Sequence, residues 1–129
     1  MSTTTPKPRE AAYSEEQVAE RLAAELPHWT YESGWIRRKY RTESWKGTLM
    51  VVNAVGHLAE AAWHHPDLAV SYAFVIVKLS THTAKGITDK DFALAKKIEE
   101  VIQWQPGLEG GPLEGTPRDD QRFRYIKYD

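Results

Sequence analysis

The sequence predicts an α+β domain, and three observations carry that reading. Three segments repeat apolar residues at helical spacing, each behind a residue suited to cap a helix. Between them lie stretches dominated by β-branched and aromatic residues. The 129 residues, 41% of them apolar and five of them Trp, suffice for one domain with a core and are too few for two.

Ser14-Glu15-Glu16-Gln17 has the capping-box spacing, and Val18, Leu22, Ala23 and Leu26 then recur at helical intervals until Pro27. A short amphipathic helix is expected there. From His28 to Thr42, aromatic and polar residues alternate around Ser33-Gly34, with Trp29 and Tyr31 before the turn and Trp35 and Tyr40 after it, as in a hairpin. Ser44 or Thr42 can cap the next segment, where Leu49, Val52, Val55, Gly56, Ala59 and Ala62 or Trp63 give a wide apolar face. This long helix is expected to end at Pro66, because proline disfavours helical geometry in the residue before it.

Val70 to Ser80 suits a strand, with Val75, Val77 and Leu79 on one side; a single long strand and a bent strand pair both fit. Thr88-Asp89-Lys90-Asp91 repeats the capping-box spacing with aspartate in place of glutamate, and Phe92, Leu94, Ala95, Ile98 and Val101 supply the third helical stripe. Beyond Trp104-Gln105-Pro106-Gly107, glycine and proline crowd as far as Pro117, and Arg122 to Tyr128 alternates as a short strand would. The expected organisation is a flexible N-terminus over 1–13, a domain over 14–104 and a C-terminal extension over 105–129, appended to a core complete without it.

Seventeen basic and eighteen acidic residues nearly cancel, so the chain has no electrostatic footprint for nucleic acid or an anionic membrane. Without cysteine there is no disulfide, no thiolate metal cage and no thiol nucleophile. The first ten residues are polar and lack the apolar core of a signal peptide, and no apolar run approaches membrane-spanning length. The expectation is a cytoplasmic protein.

The residues that suggest chemistry are Glu60, His64, His65 and Pro66, followed by Tyr72, His82 and Asp91. On a helix, Glu60 and His64 share a face, with His57 one turn earlier. His82 would arrive from the end of a strand, and Asp91 from a helix N-terminus, where the dipole favours a carboxylate. Several histidines around one pocket can hold an acid and a base together near neutral pH, which suits moving two protons. Other readings use the same residues. Adjacent histidines before a proline can simply finish a helix, and Asp91 can simply cap one. His57, Glu60, His64 and His82 are all suitable zinc ligands, but their spacing matches no zinc signature such as His-Glu-x-x-His, so no metal is expected. Tyr72 reads as core, and His28 and His57 read as surface groups.

Glu60-x-x-x-His64-His65-Pro66, with Tyr72, His82 and Asp91 at their intervals, resembles the signature of the pterin-4a-carbinolamine dehydratases. Ser80 to Ala95 is especially close to that family, and the likeness runs from about Ser14 to Trp104. The resemblance implies a four-stranded antiparallel sheet with helices on one face, and association through sheet edges into homodimers and, in some members, tetramers. It implies removal of water from 4a-hydroxytetrahydropterin to give quinonoid dihydropterin, without metal or cofactor. By the same resemblance, His64 and His82 are the acid/base pair, and Glu60 orients a histidine. His65, Pro66 and Asp91 line the pterin site, with Asp91 at its base.

Trp63 stands where the family commonly has Asp or Asn, and Leu68 stands where a tryptophan is common. A bulky indole at position 63 could fill the pocket, and the change at 68 removes an aromatic wall. With the extension, these departures resemble the dehydratase-like branch that accompanies Rubisco and α-carboxysome genes. That branch implies a Rubisco assembly role with weak or absent catalysis, and the Rubisco large subunit as partner.

Overall fold

Each helix begins where a side-chain oxygen replaces a missing backbone acceptor. The computed structural model describes residues 11–129. Ser14 Oγ accepts the Gln17 N–H and the Gln17 side chain accepts the Ser14 N–H, opening α1 (Glu15–Glu25) as a complete capping box. Ser44 Oγ accepts from Gly47 at the start of α2 (Trp45–Ala62). Thr88 and Asp91 form the second capping box and open α3 (Asp89–Ile102).

Four strands complete the fold: β1 (Thr30–Glu32), β2 (Trp35–Arg41), β3 (Asp67–Val70) and β4 (Phe74–Leu79). They form one antiparallel sheet in the order β1-β2-β4-β3. Ser33 and Gly34, at φ 50° and 87°, make the two-residue hairpin loop between β1 and β2 that the sequence predicts. The register sets Ile36 opposite Leu79, Arg38 opposite Val77 and Tyr40 opposite Val75, and all six are buried. Alternate residues such as Trp35, Lys39 and Ile76 are more exposed, so the helices cover one face of the sheet. Val18 and Leu22 of α1, Val51 and Val55 of α2, and Phe92, Ala95 and Ile98 of α3 complete the core.

Of the two readings of Val70 to Ser80, the bent strand pair is the one observed: the chain turns between β3 and β4, where Thr48 on α2 donates to the carbonyls of Ser71 and Tyr72. Three expectations are corrected. Tyr72 sits on that turn with 63% of its surface exposed, so it is not a core residue. The buried stripe of α2 is Thr48, Val51, Val55 and Ala59, which leaves Leu49 and Gly56 exposed. The helix also stops at Ala62 rather than reaching Pro66. Trp63 takes left-handed backbone at φ 51°, its N–H bonds the Glu60 carbonyl, and the His64 N–H bonds the Ala59 carbonyl, as in a Schellman motif.

The extension is no mere appendage, and it forms no strand: it contains two short 3₁₀ turns, Pro106–Leu108 and Gln121–Phe123. Ile126 is buried in the core cluster, and the Lys127 N–H donates to the Arg41 carbonyl. The Tyr125 carbonyl lies so near Gly47 that a Cβ there would approach it to 1.8 Å, so only glycine fits. Arg38, 4% exposed on the helix side of the sheet, pairs with Asp129 of the extension and lies 2.7 Å from Glu99 of α3. Glu99 also accepts from Trp29 and Tyr40, and burial together with this carboxylate pushes the Tyr40 phenol far up.

Of the N-terminus expected to be flexible over 1–13, residues 1–10 lie outside the described residues. Tyr13 is anchored: its N–H donates to the Ile87 carbonyl, its hydroxyl to Asp89, and its ring packs edge-on against Phe92.

Candidate active site

The left-handed cap at Trp63 turns the chain out of α2 and decides which side chains meet. His64 leaves the helix line and reaches α3, where its Nε2 lies 2.6 Å from Asp91 Oδ1. Glu60 consequently pairs with His65, whose Nε2 is 2.6 Å from Glu60 Oε1, and not with His64 as a continuous helix would have it.

Asp91 is fully buried at the third position of α3. Its other oxygen, Oδ2, accepts the Thr81 hydroxyl at 2.7 Å and the Thr88 N–H at 2.9 Å, while the two threonine hydroxyls lie 2.8 Å apart. Those donors occupy Oδ2 and leave Oδ1 to His64; the tautomer that donates to it from Nε2 keeps Nδ1 as the ring nitrogen able to accept a proton. His64 is 14% exposed, enough to present one edge to solvent.

The same carboxylate brings in His82. Thr81, bonded to Asp91, is the residue before His82, which opens the 3₁₀ turn His82–Ala84 beyond β4. His82 is exposed, and its ring packs edge-on against Trp35 of β2 with centroids 5.8 Å apart; Lys78 Nζ stands 5.1 Å from that indole. Glu60 and His65 are exposed as a pair, and Pro66, just before β3, is half-buried.

Trp63 does not fill the site: it is 76% exposed and packs edge-on against His65 at 5.0 Å. Leu68 packs against the core. The extension is at the far end, since it docks at Gly47 in the first turn of α2, whereas His64 follows the last turn of a helix about 27 Å long. His57 is an exposed residue of α2, and His28, also exposed, lies 3.8 Å from Asp129. Among the described residues, no three His, Asp or Glu side chains gather as a metal site. None of their helices is long and apolar enough to cross a membrane.

Reasoning from the sequence missed Thr81 and Trp35. Thr88 was visible as a cap, but its place in the network around Asp91 was not. Thr81 leaves no periodic signal, and Trp35 reads only as a strand aromatic.

The sequence pattern of the family described as pterin 4 alpha carbinolamine dehydratase matches residues 11–101. This chain belongs to that family. A curated relative from Aquifex aeolicus that carries the pterin-4-alpha-carbinolamine dehydratase name is 49% identical over 90 residues, covering 70% of this chain and 90% of the relative. One from Chloroflexus aurantiacus with the same name is 44% identical over 89 residues, covering 69% and 95%. Among solved structures, a transcriptional coactivator/pterin dehydratase from Brucella melitensis superposes with a TM-score of 0.65 at 26% identity, over 70% of this dehydratase-family chain and 98% of its own. A pterin dehydratase-like RuBisCO assembly factor of the alpha-carboxysome aligns over 57% of this chain and 86% of its own at 16% identity and a TM-score of 0.48, too remote to carry an argument. The whole of the extension lies beyond the stretch the family pattern covers.

Proposed function

We propose that this chain removes water from 4a-hydroxytetrahydropterin to give quinonoid dihydropterin. The observation that carries the reading is the His64–Asp91 pair, tied through Thr81 to the segment that presents His82, within a chain of dehydratase ancestry.

Dehydration breaks the C4a–O bond and forms a C4a=N5 double bond, so one proton must reach the departing hydroxyl and one must leave N5. With its Nε2 proton donated to Asp91, neutral His64 takes the N5 proton on Nδ1, and the resulting imidazolium is stabilised by the buried carboxylate. Protonated His82 delivers a proton to the hydroxyl, which leaves as water. His65, held by Glu60, faces the pterin ring, and Pro66 fixes the direction in which the chain leaves His65. Asp91, with both oxygens engaged inside the protein, acts through His64 and does not touch the pterin.

The dehydratase unit in this reading spans residues 14–104, with 105–129 as its extension, and it works in the cytoplasm. Two copies associate through sheet edges; β1 and β3 each present one unpaired edge.

Titration with 7,8-dihydrobiopterin, a stable ring analogue, tests the site, read by the imidazole proton resonances. Saturable shifts of His64, His65 and His82, with His28 and His57 unmoved, are the expected result. Shifts absent from all three would contradict the assignment.

A further inference from the structure

Two cavities adjoin on the C-terminal extension. One, of about 530 Å³, is lined by Glu43, Arg118, Arg124, Tyr125, Lys127 and Tyr128 among others. The other, of about 770 Å³, shares Arg118, Tyr125 and Tyr128 with it and continues toward Trp104 and Leu113. Either volume is within the range of small-molecule sites, about 300–1,000 Å³.

The charges are sorted in a way that points to a ligand. The extension carries four cations, Arg118, Arg122, Arg124 and Lys127. Arg122 lies outside both cavities and is held by Asp120 through its Nε and a terminal nitrogen. The other three line the first cavity, and among the described residues none has a carboxylate within ion-pair distance; Arg124 reaches only the Arg118 carbonyl, at 3.5 Å. Like charges gathered on one concave wall repel, and the arrangement is relieved when an anion enters. Glu43 is the one carboxylate on that wall, so the ligand must carry at least two negative charges to use all three cations.

The remaining wall is aromatic. Tyr125 and Tyr128 are half-buried, and burial together with Tyr125 raises the Tyr128 phenol, which stays neutral and able to donate a hydrogen bond. Trp104, 53% exposed, continues the ring-bearing surface. We propose that this groove binds a small aromatic dianion, with the phosphate or carboxylate groups on Arg118, Arg124 and Lys127 and the ring against the tyrosines. The site stands about one length of α2 from His64, so it holds a ligand other than the pterin.

The test uses the full chain, with binding followed by calorimetry and by tryptophan fluorescence. The probes are ADP as an aromatic phosphate, phthalate as an aromatic dicarboxylate, adenosine as a ring without the charge, and pyrophosphate as the charge without a ring. ADP or phthalate is expected to saturate the protein, with adenosine and pyrophosphate each at least about tenfold weaker. Whichever of the two aromatic anions binds tells phosphate from carboxylate. Combining Arg118→Glu with Lys127→Glu, both exposed, should abolish binding, while Arg122→Gln and His64→Ala leave it intact. No saturation by either aromatic anion at millimolar concentration, equal binding of pyrophosphate, or binding that survives the charge reversal would each overturn the proposal.

Discussion

His64 meets Asp91 at 2.6 Å, and Asp91 has no solvent exposure at all. A carboxylate in that position cannot reorient: Thr81 and Thr88 hold its second oxygen, and the first turn of α3 holds its backbone. His64 is therefore fixed by α3 as much as by its own place after α2. The dyad is the best-defined part of the site, and it makes Asp91 a positioning residue.

Asp91→Asn keeps the shape of the side chain but presents an amide to His64. The turnover of the dehydration should fall about 10²-fold with KM little changed, because the loss falls on proton transfer and not on pterin binding. The acidic limb of the pH–rate profile, set by the need for a neutral His64, should move to lower pH, which a purely structural defect would not cause. Steady-state kinetics across pH 5–9 checks both.

Trp63 occupies the left-handed position of the Schellman motif, where glycine or asparagine is the ordinary residue. Trp63→Asn or Trp63→Gly should stabilise the fold by about 1 kcal/mol, since a left-handed L-residue costs roughly that much and the exposed indole has little packing to lose. Urea denaturation measures it; a destabilised variant would count against the conformational account.

Gly47→Ala should loosen the extension. The new Cβ would lie 1.8 Å from the Tyr125 carbonyl, so residues around Ile126 must move and the core loses part of that contact. A destabilisation of about 1–3 kcal/mol is expected, with faster hydrogen exchange at the Lys127 N–H.

Asp89, in the first turn of α3, is held below the ordinary aspartate range by the Tyr13 hydroxyl and by Arg21. A carboxylate depressed in the folded state stabilises the protein above its unfolded value, near 3.8, and loses that contribution as the pH falls through its folded value. Wild type should therefore exceed Asp89→Asn in melting temperature at pH 6–7, and the gap should close below about pH 4. A gap constant from pH 7 to pH 3 would contradict the pairing.

The elements that announce themselves locally were legible in the sequence. Ser14 with Gln17, and Thr88 with Asp91, set two helix starts, and Ser33-Gly34 set a hairpin, because caps and two-residue turns are decided within four residues. Glu60, His64, His65 and Asp91 were legible as a group, but their pairing was not. Helical spacing joins Glu60 to His64, and only the left-handed Trp63, which no periodicity reveals, hands His64 to Asp91 and His65 to Glu60. The β3–β4 turn was left undecided and the docked extension was missed for a related reason. Thr48 donates to, and Gly47 packs against, residues more than twenty positions away, and composition carries no trace of such contacts.

The central claim is acid/base catalysis by His64 and His82, and the most direct measurement is dehydration of 4a-hydroxytetrahydropterin generated in situ by a hydroxylase. Wild type should accelerate the reaction over the uncatalysed rate, and His64→Ala and His82→Ala should each remove at least about 10²-fold of that acceleration while remaining folded. A wild-type rate equal to the uncatalysed one, or full activity in either variant, would contradict it.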